Sequence, residues 1–165
     1  MVVGISRETR LALRSAIARA IRDGIPPVEA ARMIRSMIGM TQRQAMATMN
    51  YRESLIELGH APARVAALVD KYAARKIRER ALVIARTEVM GALNAGQVAA
   101  WRDAQAKGLL SAGAMKEWIT TDDERLCSIC EAVDGETVAL DEPFSEDGPP
   151  AHPSCRCTIA LARAK

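Results

Sequence analysis

Aromatic residues are scarce in this chain of 165 residues: two Trp, two Tyr and one Phe, 3% in all. Rings therefore cannot dominate the core. The apolar content of 49% has to be met by aliphatic side chains, rich in Ala and Met, which suit closely packed helices. No apolar run approaches the roughly 20 residues needed to span a bilayer. There is no Gly-rich phosphate loop and no Gly-x-Ser-x-Gly elbow, so neither motif supports a catalytic reading. Histidine occurs only at His60 and His152, and His60, at a helix stop, reads as an exposed cap residue. The opening Met1-Val2-Val3-Gly4 lacks the basic and then apolar pattern of a secretion signal. The expected setting is a reducing cytoplasm, where close cysteine pairs serve as metal ligands or redox groups more often than as structural disulfides. Net charge is +3, with a pI near 8.8. That is mildly basic, compatible with nucleic acid but not diagnostic of it.

What is present is mostly helical pattern. Leu13, Ile17 and Ile21 recur every four residues after a candidate N-cap at Ser6, and Asp23-Gly24 ends the run. After Pro26-Pro27, a second helix carries Ala31, Ile34 and Ile38, with Gly39 as its expected left-handed stop. Thr41-Gln42-Arg43-Gln44 has the form of a capping box and opens a third helix through about Leu58. From Pro62 to about Lys107 no proline intervenes, but the length argues for two helices or a bend near the charged run 75–80. Within it, Gly91, Ala92, Ala95, Gly96 and Ala99 form a small-residue surface suited to close packing. Strands are predicted over 117–120, 137–140 and 156–160. A short helical turn between the first two is capped by Asp122 or Asp123, and Asp134-Gly135 supplies a turn. The fold class is α+β: an N-terminal helical hairpin or bundle, then long helices packed on a small antiparallel β unit. Two domains are expected, a helical arm over 1–61 and a module over 62–165 with its Cys/His cluster at 127–157.

All four cysteines lie in that cluster. Cys127-x-x-Cys130 lets two thiolates converge on one ion, as zinc knuckles do, and His152-x-x-Cys155-x-Cys157 offers three more donors. Zinc takes four of these five in a tetrahedron. A four-cysteine set is open, since Cys155 and Cys157 point the same way on a strand. A set using His152 with one of those two cysteines is equally open. The expected cofactor is a structural zinc ion, because four protein donors leave no position for water. Arg86 and Glu88 do not share a helix face. They are expected to join Asp122, Asp123 and Arg125 in an ion-pair network rather than a catalytic pair.

Several stretches taken together resemble the phage Mu F-like minor head protein family, also called the phage head morphogenesis domain. They are Ile84-Ala85-Arg86-Thr87-Glu88, Asn94-Ala95-Gly96-Gln97, the run from Trp118 through Thr120, Thr121, Asp123, Arg125, Cys127 and Cys130, then Asp134-Gly135, and Pro149-Pro150-x-His152-Pro153-x-Cys155-Arg156-Cys157. The resemblance covers about residues 80–161 and rests on order and spacing. It implies a minor capsid protein of a tailed phage or prophage that assists head assembly. Implied partners are the portal, capsid or scaffold proteins, with DNA a further partner, and neither a membrane nor a small-molecule substrate. The implied location is the host cytoplasm during assembly and then the virion, in the head interior or near the portal. Positions carried over are Arg86, Glu88, Asp122 or Asp123, Arg125, Cys130, Asp134, Gly135 and Cys155-Arg156-Cys157. Many relatives have His at the position of Cys130, a swap that keeps a zinc donor. The alternatives are a small metal-dependent nuclease of the His-Asn-His type, which would need a histidine on its first strand, and a DNA-binding module using the arginine-rich helices.

Overall fold

The computed structural model describes residues 7–162; the expected Ser6 cap and the basic tail Arg163-Ala164-Lys165 lie outside them. Helix α1 spans Arg7–Arg22, α2 Pro27–Ile34, α3 Gln42–Glu57 and α4 Pro62–Ala106. Strand β1 spans Met115–Ile119, the short helix α5 Ser128–Ala132, β2 Thr137–Ala139 and β3 Thr158–Leu161. Helices thus precede a small antiparallel sheet, the α+β arrangement read from the sequence. The chain divides between Ala85 and Arg86 into two compact units.

The helical unit is built as its pattern dictates. Leu13, Ile17 and Ala20 of α1 and Ala30, Ala31 and Ile34 of α2 are buried. Gly24 ends the first helix at φ +66, where a side chain would be strained. Pro27 opens α2, where its missing N–H costs nothing. The capping box of α3 is complete: Gln44 N–H donates to Thr41 Oγ1 at 3.2 Å and Thr41 N–H donates to Gln44 Oε1 at 3.0 Å. Gly39 is not a left-handed stop, because α2 closes at Ile34 into a tighter turn over Arg35–Met37. His60 is half-buried rather than exposed, and its N–H bonds the Leu55 carbonyl at 3.2 Å.

The expected break in α4 is absent; the helix runs 45 residues without interruption. The charged run does not interrupt it because its charges pair along the helix. Glu79 reaches Lys76 at 2.9 Å and Arg75 at 3.8 Å. Such spacings support a helix rather than breaking it. Arg80 is buried but satisfied, donating to the Gly39 carbonyl at 2.7 Å.

In the second unit, β1 is the central strand, in the order β2-β1-β3. Its register sets Lys116 opposite Val138 and Leu161, and Trp118 opposite Ile159. Trp118, Cys130, Val133, Phe144, Cys155, Cys157 and Ile159 form the core, with Trp118 edge-on to Phe144 at 5.3 Å between ring centres. The small-residue surface of α4 contributes less than its pattern suggested. Gly91 lies against the Pro150 ring, where an added Cβ would come within 3.4 Å, while Ala92, Ala95, Gly96 and Ala99 are exposed.

Candidate metal centre

Cys127 stands just before α5 and caps it: its sulfur accepts the Cys130 N–H at 3.5 Å. The cap expected from Asp122 or Asp123 falls to this thiol, which leaves Asp123 to hold the preceding turn by accepting the Arg125 N–H at 2.9 Å. One helical turn from Cys127 to Cys130 sends both sulfurs to the same side. Cys155 and Cys157 sit on the extended approach to β3, both buried, with Arg156 between them facing the other way.

His152 is delivered by a tight turn in which Cys155 N–H bonds the His152 carbonyl at 3.1 Å. Ser154 takes φ +62 there, and its N–H donates to Thr87 Oγ1 on α4 at 2.9 Å. The His152 Nδ1 lies 3.0 Å from the Pro153 carbonyl. A carbonyl only accepts, so Nδ1 carries the proton, and in the neutral ring Nε2 then presents its lone pair. That lone pair faces two sulfurs, Cys127 Sγ at 3.2 Å and Cys130 Sγ at 3.3 Å. Cys130 Sγ in turn lies 3.7 Å from Cys155 Sγ.

All five expected donors are therefore brought together, as two triads that share Cys130: Cys127, Cys130 and His152, then Cys130, Cys155 and Cys157. The donor chemistry fits zinc. Tetrahedral bonds of about 2.3 Å to sulfur and about 2.0 Å to nitrogen imply edges of about 3.8 Å between sulfurs and about 3.5 Å between sulfur and nitrogen. Three separations stand close to these edges, Cys127–His152 at 3.2 Å, Cys130–His152 at 3.3 Å and Cys130–Cys155 at 3.7 Å, while the two triads do not merge into a set of four mutually within 4.8 Å among the described residues. The Nδ1–H to carbonyl bond is the outer contact that orients a ligating imidazole.

The local electrostatics run the same way at the exposed end. The Cys127 thiol is lowered to about 7, first by the Cys130 N–H that points at its sulfur. Burial pushes Cys130 well up, and raises Cys157 too. Cys155 is lowered overall: burial opposes ionisation, but the N–H groups of Cys157 and Ala151 outweigh it. His152 is raised, chiefly by its bond to the Pro153 carbonyl. The indole N–H of Trp118 lies beside Cys157 and favours its thiolate, yet the pair falls short of hydrogen-bond geometry, so Trp118 Nε1 stays buried without a partner.

The charged residues sort differently. Asp123 forms a fork with Arg156, through both guanidinium nitrogens, and sits 3.8 Å from Arg125. The Arg156 guanidinium holds its carboxyl well below the usual carboxylate range. Arg86 and Asp122 are exposed and Glu88 is half-buried, and none of the three joins the ion pairs found among the described residues. Asp134 accepts from the Thr120 N–H at 3.1 Å and its hydroxyl at 2.8 Å. Gly135, at φ +74, makes the turn that leads into β2.

Four more residues fasten the site: Thr87 and Asn94, which stand in the stretches that carry the family resemblance, and Lys116 and Arg102, which no motif above contains. Asn94 of α4 is buried; its amide donates to the Pro149 carbonyl at 3.0 Å and its oxygen accepts from the Thr158 hydroxyl at 3.0 Å. Thr87 holds Ser154. Lys116 is buried on β1, its ammonium on the Leu140 carbonyl at 3.1 Å and the Glu142 carbonyl at 2.5 Å, above the Phe144 ring. Burial, and then the charge of Arg102, lowers its pKa. Arg102 donates to the same Leu140 carbonyl at 2.9 and 3.2 Å. Strand alternation could have found Lys116, since it shares the inward face of β1 with Trp118.

Fold and site together define an α+β protein whose small sheet is gathered round a Cys/His cluster and pinned to one long helix. The chain belongs to the phage Mu protein F like family, whose model matches residues 12–160. This membership makes it a phage head morphogenesis protein, of a family that is structural rather than typically enzymatic. No curated protein and no solved structure matches the chain. Among the described residues, no helix is long and apolar enough to cross a membrane.

Proposed function

We propose that this protein is a minor head component that assists procapsid assembly at or near the portal, with its C-terminal unit held in shape by one structural zinc ion. The observation that carries the reading is a chain of close donor contacts, Cys127 Sγ to His152 Nε2 at 3.2 Å, His152 Nε2 to Cys130 Sγ at 3.3 Å and Cys130 Sγ to Cys155 Sγ at 3.7 Å. The donors are Cys127, Cys130, His152 and Cys155. Cys155 is preferred to Cys157 because its sulfur already stands at the expected S···S edge from Cys130, while Cys157 lies beside the Trp118 indole. Zinc there would cross-link α5 to the segment before β3, in a unit whose sheet has only three short strands. With four protein donors no coordination position stays open, so the ion holds shape and performs no reaction. The stabilised surface docks on portal, capsid or scaffold protein, the helical arm extends that contact, and nucleic acid is a further partner. The protein then resides in the head interior or portal region.

Two experiments test this. Metal analysis of protein purified without chelator should give about one zinc per chain, and a cobalt-substituted form should show thiolate-to-cobalt bands. Four freely titrating thiols with no metal would refute the clamp. Co-expression with portal, scaffold and capsid proteins should recover a complex with at least one of them; recovery with none would refute the assembly role.

A further inference from the structure

Charge is divided sharply between the two units. Residues 1–85 carry 15 Lys and Arg against 7 Asp and Glu, whereas residues 86–165 carry 8 against 13. The modest total of +3 thus conceals a helical unit of +8 and a second unit of −5. Of the 15 cations in the helical unit, 13 are arginine.

Within the helical unit some of this charge gathers round two hollows that share Arg78. One, of about 360 Å³, is rimmed by Arg32, Arg35, Ser36 and Arg78 over a floor of Ala74 and Ile77. The other, of about 240 Å³, includes Lys71, Arg75 and Arg78 beside Tyr51 and Tyr72. Lys71, Arg75 and Arg78 follow one another at four and three residues on α4, so they share a face. The two tyrosines stack at 4.7 Å, and Tyr72 holds the Arg75 and Lys76 head groups over its ring at 5.0 and 5.3 Å. Glu79, on the same stretch of α4, is taken up by Arg75 and Lys76. Arg32, Arg35, Lys71 and Arg78 are exposed and take no part in the ion pairs among the described residues.

We infer that this face of the helical unit, centred on Arg32, Arg35 and Arg78, binds the phosphate backbone of nucleic acid. The inference rests on the reading that nucleic acid is a partner, and it assigns the surface. Guanidinium groups present forked donors that match phosphate oxygens. A chain of regularly spaced phosphates meets a row of cations without demanding one register. An acidic protein face, such as the −5 unit of a second copy, would need carboxylates at fixed positions. Contacts of this kind fix position and carry no base information, so binding is indifferent to sequence.

The test uses the full chain and two unrelated labelled DNA duplexes of about 25 base pairs, read by anisotropy across a salt series from about 50 to 300 mM. Replacing Arg32, Arg35 and Arg78 together by Ala should weaken binding to both duplexes by about tenfold or more at low salt. It should also flatten the log–log salt slope by about three, one for each phosphate that no longer meets a guanidinium. All three side chains are exposed, so the melting temperature should not change, and the corresponding triple Lys variant should recover most of the affinity. Wild-type binding with an unchanged slope in the Ala variant would overturn this surface while leaving nucleic acid as a partner. Absence of wild-type binding would overturn both. Salt-sensitive self-association that the Ala variant abolishes, without DNA binding, would assign the face to a second copy instead.

Discussion

Replacing Asn94 with Ala tests how the long helix holds the loop that carries His152 and Cys155. The side chain is buried, and it is the shared partner of the Pro149 carbonyl and the Thr158 hydroxyl. Truncation removes two hydrogen bonds worth about 1 kcal/mol each and strands a carbonyl with no donor, which adds about 1 kcal/mol or more. The expected loss is about 2–4 kcal/mol. Both tryptophans, Trp101 and Trp118, lie in the second unit, so intrinsic fluorescence during urea unfolding reports that unit by itself. The midpoint should fall while the slope holds, since the surface exposed on unfolding is unchanged. Asn94→Asp should be no better than Ala, because a carboxylate cannot donate to the Pro149 carbonyl. Thr158→Val removes only one bond and should cost about 1 kcal/mol, and combining it with Asn94→Ala should cost less than the sum of the two singles. A loss under about 0.5 kcal/mol for Asn94→Ala would refute the view that this residue ties helix to loop.

Other expectations are independent of that one. Chelation should lower the urea midpoint reported by the tryptophans; Cys157→Ser should retain zinc while Cys155→Ser loses it, as read by metal analysis, and the reverse result would move the fourth donor to Cys157. The Asp123 carboxyl titrates below the usual carboxylate range because Arg156 pairs with its ionised form. The stabilisation from this pair is therefore present above about pH 4, the unfolded value, and is lost as pH falls through the depressed folded value. An NMR titration should show the Asp123 midpoint rising towards the ordinary range in Arg156→Ala; an unmoved midpoint would exclude Arg156 as the cause. Ser154 sits at φ +62, so Ser154→Gly should hold or gain stability, whereas Ser154→Val should lose about 1–2 kcal/mol by thermal melt. Equal melting of the two variants would mean the backbone there is not constrained.

The residues that announce themselves in the sequence act through near neighbours. The capping box at Thr41 and Gln44, the Cys127–Cys130 pair and the glycine stop at Gly24 each need only a few consecutive residues. What stays hidden depends on partners far along the chain. Asn94 meets Pro149 and Thr158 across 55 and 64 residues, and no periodicity encodes that. The continuity of α4 is hidden for another reason: typical helix length argues against it, and the i,i+3 and i,i+4 pairing at Arg75, Lys76 and Glu79 that sustains it is the weaker signal. Asp123 reads like Asp122 as a cap, yet its partner Arg156 lies between two candidate ligands whose burial turns it outward. The charge division is present in the residue order, but it becomes visible only once the boundary at Ala85 is known.

The sheet has its own bearing on how this protein can meet others. Its outer strands, β2 and β3, are three and four residues long, and Lys116 closes the loop beyond β2 against the body of the unit. Free edges that short offer another chain only a couple of ladder hydrogen bonds, too few to template strand addition. Many copies can therefore crowd together without zipping into a common sheet. Association is left to side-chain surfaces, which can be tuned for reversibility.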